Sequence, residues 1–294
     1  MYHRCELCAH RCRVDRTAGS VGVCRSTDAL TLARAALHLW EEPPISGNRG
    51  SGTVFFSGCS LGCVFCQNRA ISHEGVGRTV SVERLSDIFL ELQDAGAHNI
   101  NLVTPTHYVP SICRAIDRAR AHGLSLPIVY NTSSFDTPET IRSLDGYVDI
   151  FLADLKYMRE KTARALCSAP AYPEAARAAI AEMVRLAPQP CFDGQGLMRR
   201  GVIVRVLLLP GHVAEAKLCV GYIYRTYGDR VYISLMNQYT PQVGLSPPLH
   251  RPVTHEEYAE LLTYADKIGV KNGFTQQFGT AKESFIPSFD FSGI

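Results

Sequence analysis

The chain has 294 residues, a formal net charge of +2 and a pI near 8.0, with 46% hydrophobic and 20% charged residues. That length allows one large domain with a full core, and so mild a charge leaves neither nucleic acid nor a membrane surface as an expected partner. Eleven cysteines, with no apolar leader and no uninterrupted apolar run of membrane-spanning length, point to metal ligation in the cytoplasm, where thiols stay reduced, over a disulfide framework.

Seven of the cysteines fall in two tight clusters. The first, Cys5-x2-Cys8-x3-Cys12-x11-Cys24, lies in a turn-rich stretch with Gly19 and Gly22 and few apolar neighbours, so residues 1–45 read as a small metal-stapled segment. Four thiolates at such spacing accept either zinc or an iron–sulfur cluster. Residues 31–40 fit a short helix and an edge strand equally, and Pro43 and Pro44 then stop any regular element. The run Gly47-Asn48-Arg49-Gly50-Ser51-Gly52 has the glycines of a phosphate loop. It precedes a strand, however, and lacks the Gly-Lys-Ser/Thr ending, so it reads as a flexible lead-in.

An apolar run at 53–56, read as a buried strand, leads directly into the second cluster, Cys59-x3-Cys63-x2-Cys66. Three soft ligands in place of four leave one iron of a [4Fe-4S] cluster open to something else. Further strands are expected at 100–103, 128–130, 149–153, 203–209 and 231–235. They alternate with helices at 82–95, 109–121, 138–143 and 173–187, and a last helix follows at 254–268. Ser81 is placed to cap the first of these helices, Gly96 lies past its end, and Leu85, Ile88, Phe89 and Leu92 recur at helical spacing.

Such alternation predicts parallel βα units with reactive groups at the carboxyl ends of the strands. Polar residues do gather there. Thr104, Thr106 and His107 follow the second strand, Asn131 to Ser134 the third, Asp154 and Lys156 the fourth, and Asn237, Gln238 and Tyr239 the sixth; the fifth ends apolar. The long crossover at 157–200 is a place for substrate or partner contacts, and the stretch from about 242 reads as a cap over an open sheet edge.

The trio Cys59, Cys63 and Cys66, with aromatic Phe65 before its last cysteine, resembles the signature of the radical S-adenosylmethionine (SAM) superfamily. The flanking Trp40-Glu41-Glu42-Pro43-Pro44-Ile45-Ser46-Gly47 and Cys66-Gln67-Asn68 are similar to the branch of pyruvate formate-lyase activating enzyme, and the likeness runs over roughly residues 1–240. The resemblance implies an α/β fold, a partial (β/α)6 barrel over residues 46–294, preceded by the small metal-binding segment. It implies that the amino and carboxylate groups of SAM's methionine chelate the open iron, and that one electron from the cluster yields a 5′-deoxyadenosyl radical for hydrogen abstraction. It implies, too, an electron donor such as flavodoxin or ferredoxin. As target it implies a protein glycine in a glycyl radical enzyme, with a small molecule, peptide or RNA as the alternative.

Asp154 and Lys156, two apart in an extended segment, point the same way. They form either an internal salt bridge or, as the resemblance implies, a contact to SAM with the lysine near its carboxylate. Asn131 and Ser133 stand where the family contacts ribose or methionine, though Asn-Thr-Ser-Ser is also an ordinary turn. Phe65 and Gln238 complete the expected cofactor-binding set. Two departures stand out. Relatives often carry Gly-Gly-Glu after the second strand to receive the methionine amino group; here Thr104 or Thr106 is expected to accept that bond, and His107 either faces substrate or is satisfied by its loop. Close relatives read Arg-His-Leu in the fifth strand, whereas this chain has Arg205-Val206-Leu207, so Arg205 or Lys156 is expected to cover SAM's carboxylate.

Cys113, Cys167 and Cys219 are expected to be buried free thiols and Cys191 a more exposed one. The reading from another class is a non-catalytic iron–sulfur redox or metal-binding protein. Polar strand ends argue against it, because an electron carrier needs no ligand pocket.

Overall fold

One sheet runs through the computed structural model, which describes residues 1–277 and 287–294. Its strands are β1 (Leu30–His38), β2 (Ser51–Phe56), β3 (Arg78–Val80), β4 (Ile100–Val103), β5 (Ile128–Thr132), β6 (Ile150–Asp154), β7 (Cys191–Phe192), β8 (Met198–Leu207), β9 (Tyr232–Met236) and β10 (Gly273–Thr275). The order is β10-β9-β8-β6-β5-β4-β2-β1-β3, with β7 paired to β8. From β2 to β10 along this path every pairing is parallel, while β1 runs antiparallel to β2 and β3 antiparallel to β1. The path does not close on itself among the described residues, so the sheet is a partial barrel.

Strands covered on both faces read as unbroken apolar runs, and β2 and β4 to β6 are buried almost throughout. The helices are α1 (Pro43–Ser46), α2 (Arg69–Ser72), α3 (Val82–Asp94), α4 (Val109–Ala121), α5 (Pro138–Arg142), α6 (Glu160–Cys167), α7 (Tyr172–Leu186), α8 (Val213–Tyr227) and α9 (His255–Lys267). Ser81 caps α3 by accepting from Arg84 N at 3.1 Å, and Leu85, Ile88, Phe89 and Leu92 bury that helix against Val54, Phe56, Ile100 and Leu102. A Cβ on Gly52 would stand 2.9 Å from the Asn99 carbonyl oxygen and 3.1 Å from the Leu92 Cβ, so glycine is what lets β2 pass under α3.

All six expected strands are present. The ambiguous stretch 31–40 is a strand, β1, because its alternating burial fits pairing to β2 on one side and β3 on the other. The lead-in at 43–52 is ordered. Pro43 starts α1, since proline is tolerated in a first helical turn, and Asn99 ties the segment down by donating to Ile45 O at 2.7 Å and accepting from Ser51 Oγ at 2.5 Å. The crossover length is taken up by α6, α7 and β7. Of the expected cap, α9 packs on α8, β10 extends the sheet beside β9, and residues 278–286 lie outside the described residues. The tail at 289–292 lies on β1, with Ala35 N donating to Ser292 O at 2.9 Å and Arg34 paired to Asp290 at 2.7 Å. Among the described residues no helix is long and apolar enough to cross a membrane.

Glu257 holds the loop after β8 to the start of α9. It accepts from both Arg251 Nη atoms at 2.8 Å, from Gly211 N at 2.6 Å and from Thr254 N at 3.0 Å, and the Arg251 guanidinium, against partial burial, pulls its carboxyl down to about 2. A depressed folded pKa adds stability that is present above the unfolded value of 4.5 and is lost as pH falls through about 2. Replacing Glu257 by Gln is expected to flatten the acid limb of the denaturation midpoint against pH; an unchanged limb would refute this.

Candidate active site

The carboxyl ends of β2, β4, β5, β6, β8 and β9 open onto one cavity. Its first wall is the loop that leaves β2, where Gly58 turns with φ +87° and the chain then carries Cys59, Cys63 and Cys66 to the surface of the cavity. Leu61 N donates to Cys59 Sγ at 3.3 Å and Ser72 Oγ to Cys66 Sγ at 3.2 Å, while Val64 N is anchored on Leu166 O at 3.0 Å. Burial pushes the Cys59 thiol up to about 12 and that of Cys63 well above its ordinary value. Thiols so placed become ligands when metal takes their protons. Phe65 sits in the same loop with its ring edge-on to Tyr239, centroids 6.1 Å apart.

A chain of buried charges forms the facing wall. Lys156 Nζ donates to Asp154 Oδ2 at 2.7 Å, and Arg205 Nε to Asp154 Oδ1 at 2.9 Å. Arg205 also reaches Glu41 Oε2 at 3.3 Å through Nη1 and Asn131 Oδ1 through Nη2. Asn101 and Asn131 donate to Glu41 Oε1 at 2.9 and 3.3 Å. Burial alone would raise the Asp154 pKa, but the Lys156 ammonium and Arg205 guanidinium overcome it and hold the carboxyl below its usual range. For Lys156 and Arg205 burial works downward and Asp154 outweighs it, so both are held firmly protonated. Glu41 differs: burial pushes its pKa up and Arg205 only partly offsets this. A cation brought to Glu41 would therefore stabilise its charged form.

Behind it Glu42 is also buried, raised by burial against the pull of Arg205, with Oε2 lacking a hydrogen-bond partner among the described residues. Tyr172 from α7 fixes the strand ends around this network, its hydroxyl donating to Ser133 O and Asp154 O and accepting from Lys156 N, all within 3.0 Å.

A family model, the radical SAM superfamily, matches residues 53–199, which is half of the chain. The chain belongs to the radical SAM superfamily. An uncharacterized protein of Methanocaldococcus jannaschii is 27% identical over 289 residues, covering 91% of this chain and 75% of that one. Among solved structures, SuiB of Streptococcus suis superposes with a TM-score of 0.50 at 15% identity, and the same protein bound to S-adenosylmethionine with 0.51 at 14%. Each match covers 80% of this chain, and the chain spans about half of SuiB, 51% of its length. That likeness is one of fold.

Membership implies a [4Fe-4S] cluster and SAM, and the cavity suits both. Three thiols stand on one wall, two of them, Cys59 and Cys66, receiving hydrogen bonds at sulfur, and a polar wall faces them. Among the described residues no three His, Cys, Asp or Glu side chains converge on a single-ion geometry. The ligands of a cubane stand wider apart, since each holds its own iron.

Of the residues singled out in the sequence, Cys59, Cys63, Cys66, Phe65, Thr104, Asn131, Ser133, Asp154, Lys156, Arg205 and Gln238 all line this cavity. Asp154 and Lys156 form an ion pair and also line the cavity. Thr104 lies at φ +59°, a left-handed backbone that glycine adopts freely and threonine only at a cost of about 1–3 kcal/mol.

Thr106 does not reach the cavity. It is buried beneath it, 3.5 Å from the Tyr130 hydroxyl. His107 is buried, bonded through Nε2 to Ser57 O at 2.7 Å while Nδ1 has no hydrogen-bond partner among the described residues, and burial drives its pKa down to about 3. Cys5, Cys8, Cys12 and Cys24 lie outside the cavity lining. Cys191 is exposed, Cys167 and Cys219 are buried, and Cys113 is half-buried.

Glu41 was missed by the reading of strand ends because it comes from the segment ahead of β2. The signal was present in Leu39-Trp40-Glu41-Glu42-Pro43-Pro44-Ile45, two acids inside an apolar stretch, which demand partners if buried. Replacing Arg205 by Gln leaves Asp154 and Glu41 without their shared cation, and a loss of about 3–5 kcal/mol in unfolding free energy is expected by denaturant titration. A loss within error would mean that the network is solvated.

Proposed function

We propose that the protein cleaves SAM reductively at a cluster held by Cys59, Cys63 and Cys66 and directs the resulting radical at a glycine Cα of a partner protein, as a glycyl radical enzyme activase. The observation that carries the SAM reading is the cavity itself, in which the three thiols face Glu41, Asp154, Lys156 and Arg205 across a single space. A cluster bound there would supply the one electron that splits a C–S bond of SAM into methionine and a 5′-deoxyadenosyl radical, and that radical would take a hydrogen atom from the target carbon.

The chain's own side chains bind and orient. The three cysteines would hold a [4Fe-4S] cluster and leave one iron open to the methionine moiety. Lys156 and Arg205 attract its carboxylate, and Glu41 receives its ammonium, standing in for the acid absent after β4. Asn131 and Ser133 offer the amide and hydroxyl that a ribose diol needs. Phe65 and Tyr239 exclude water beside the thiols.

The glycine target rests on the likeness of Glu41-Glu42-Pro43-Pro44-Ile45-Ser46-Gly47 and Cys66-Gln67-Asn68 to the activase branch. A one-electron donor such as flavodoxin or ferredoxin is the partner this chemistry requires.

Anaerobically reconstituted protein, reduced in the presence of SAM, is expected to release 5′-deoxyadenosine, and the Cys66→Ala variant to release none. No product from a demonstrably reduced cluster would favour a non-catalytic iron–sulfur protein. Glu41→Gln keeps the hydrogen bonds and removes the charge; its dissociation constant for SAM is expected to rise about tenfold or more, and an unchanged value would remove Glu41 from the site. With a glycyl radical enzyme deuterated at glycine, label is expected in the 5′-deoxyadenosine. Product without label points to another substrate class.

A further inference from the structure

Arg16 is fully buried, yet among the described residues no carboxylate stands within ion-pairing distance of it. Its guanidinium donates to the backbone carbonyls of Ser26, Thr27 and His107, its Nη1 lies 4.0 Å from Cys5 Sγ, and it stacks on the rings of Tyr2 and Tyr108 at 4.9 and 5.6 Å. Carbonyls and ring faces soften a buried charge without cancelling it, and a cation taken out of water with no counter-anion costs several kcal/mol. The neighbour able to supply negative charge is the Cys5 thiol beside it.

That thiol belongs to a set. Cys5 and Cys24 are buried, Cys8 and Cys12 half-buried, and none is in a disulfide. Arg13 N folds back to Cys5 O at 2.8 Å and Arg11 N to Cys8 O at 2.9 Å, while a Cβ on Gly22 would touch Cys12 Sγ at 2.8 Å. Cys24, Cys12 and Cys5 lie near enough to Cys8 to act on it electrostatically. Metal-bound thiolates would provide the anion that Arg16 lacks. Four thiolates accept zinc or an iron–sulfur cluster, and of the two only a cluster can exchange an electron with a neighbouring site.

The set is also wired to the loop that carries Cys59. His10 Nε2 lies 2.9 Å from Ser60 O. A Cβ on Gly58 would stand 2.9 Å from Cys24 O. His107 takes Arg16 on its carbonyl and bonds Ser57 O through its ring. We infer that Cys5, Cys8, Cys12 and Cys24 ligate a second iron–sulfur cluster, balanced by Arg16, that stores one electron for the cavity cluster. With four thiolates it has no open iron and does not touch substrate. A one-electron carrier reduces it, it passes the electron to the cavity cluster, and that electron leaves with methionine when SAM is cleaved. The electron's destination rests on the proposed SAM chemistry; the metal site does not.

Two measurements separate these. In the C59A/C63A/C66A variant, reconstituted anaerobically, about four irons per chain and an EPR signal on reduction are expected. Zinc in their place, or no metal, overturns the site. Replacing Arg16 by Gln is expected to lower that centre's reduction potential while Arg16→Lys, which keeps the charge, restores it; an unmoved potential in R16Q overturns the counter-cation. Wild-type protein, prereduced and freed of reductant, is then mixed with SAM. About two 5′-deoxyadenosine per chain are expected if the second cluster feeds the first, and about one overturns the store. None at all, with the iron count intact, condemns the SAM reading and leaves the second cluster standing.

Discussion

The site depends on Arg205. A guanidinium buried in a parallel sheet would be a liability alone, but its planar fork reaches Asp154, Asn131 and Glu41 from three different strands or segments at once. The strand ends are thereby locked in register around the cavity, and the lysine two residues beyond β6 is aimed into it. Remove the cation and the acids must either take up protons or drag in water. The parallel pairings from β5 through β6 to β8 bring these residues side by side, Asp154 opposite Arg205 and Asn131 opposite Leu152.

The N-terminal segment performs the corresponding task for the cysteine loop. Ahead of β1 it forms no helix, so its first residues hold their shape by backbone turns and by Arg16. They meet Gly58 and Ser60, the residues on either side of Cys59. Cluster loop and N-terminal thiols thus share one rigid seam, and the cavity thiols sit between that seam and the Arg205 network.

Much of this was legible in the chain. Strands buried on both faces announce themselves as short apolar runs, and Ser81, Gly96 and the spacing of Leu85, Ile88, Phe89 and Leu92 mark α3 closely. Strand-end chemistry follows from the parallel topology, which is why Asn131, Asp154, Lys156 and Gln238 could be placed beforehand. What escaped depends on distant contacts. β3 and β10 are three residues each and exist because a neighbouring strand offers an edge. Thr106 follows a strand like Thr104, yet the 3-10 turn after Pro105 carries it beneath the cavity. Glu41 belongs to no strand end; its place is set by distant side chains, Asn101, Asn131 and Arg205, the last 164 residues away in sequence.

The tail on β1 bears on how the molecule is made. Residues 291 and 292 hydrogen-bond to Ala33 and Ala35 on the stretch of β1 that β3 leaves uncovered. Contacts of such sequence separation form late, because the loop they close is long. Until they form, the strand beside the cluster-bearing β2 presents a bare edge able to pair with another chain. Protection of that edge is therefore tied to the arrival of residues 291 and 292.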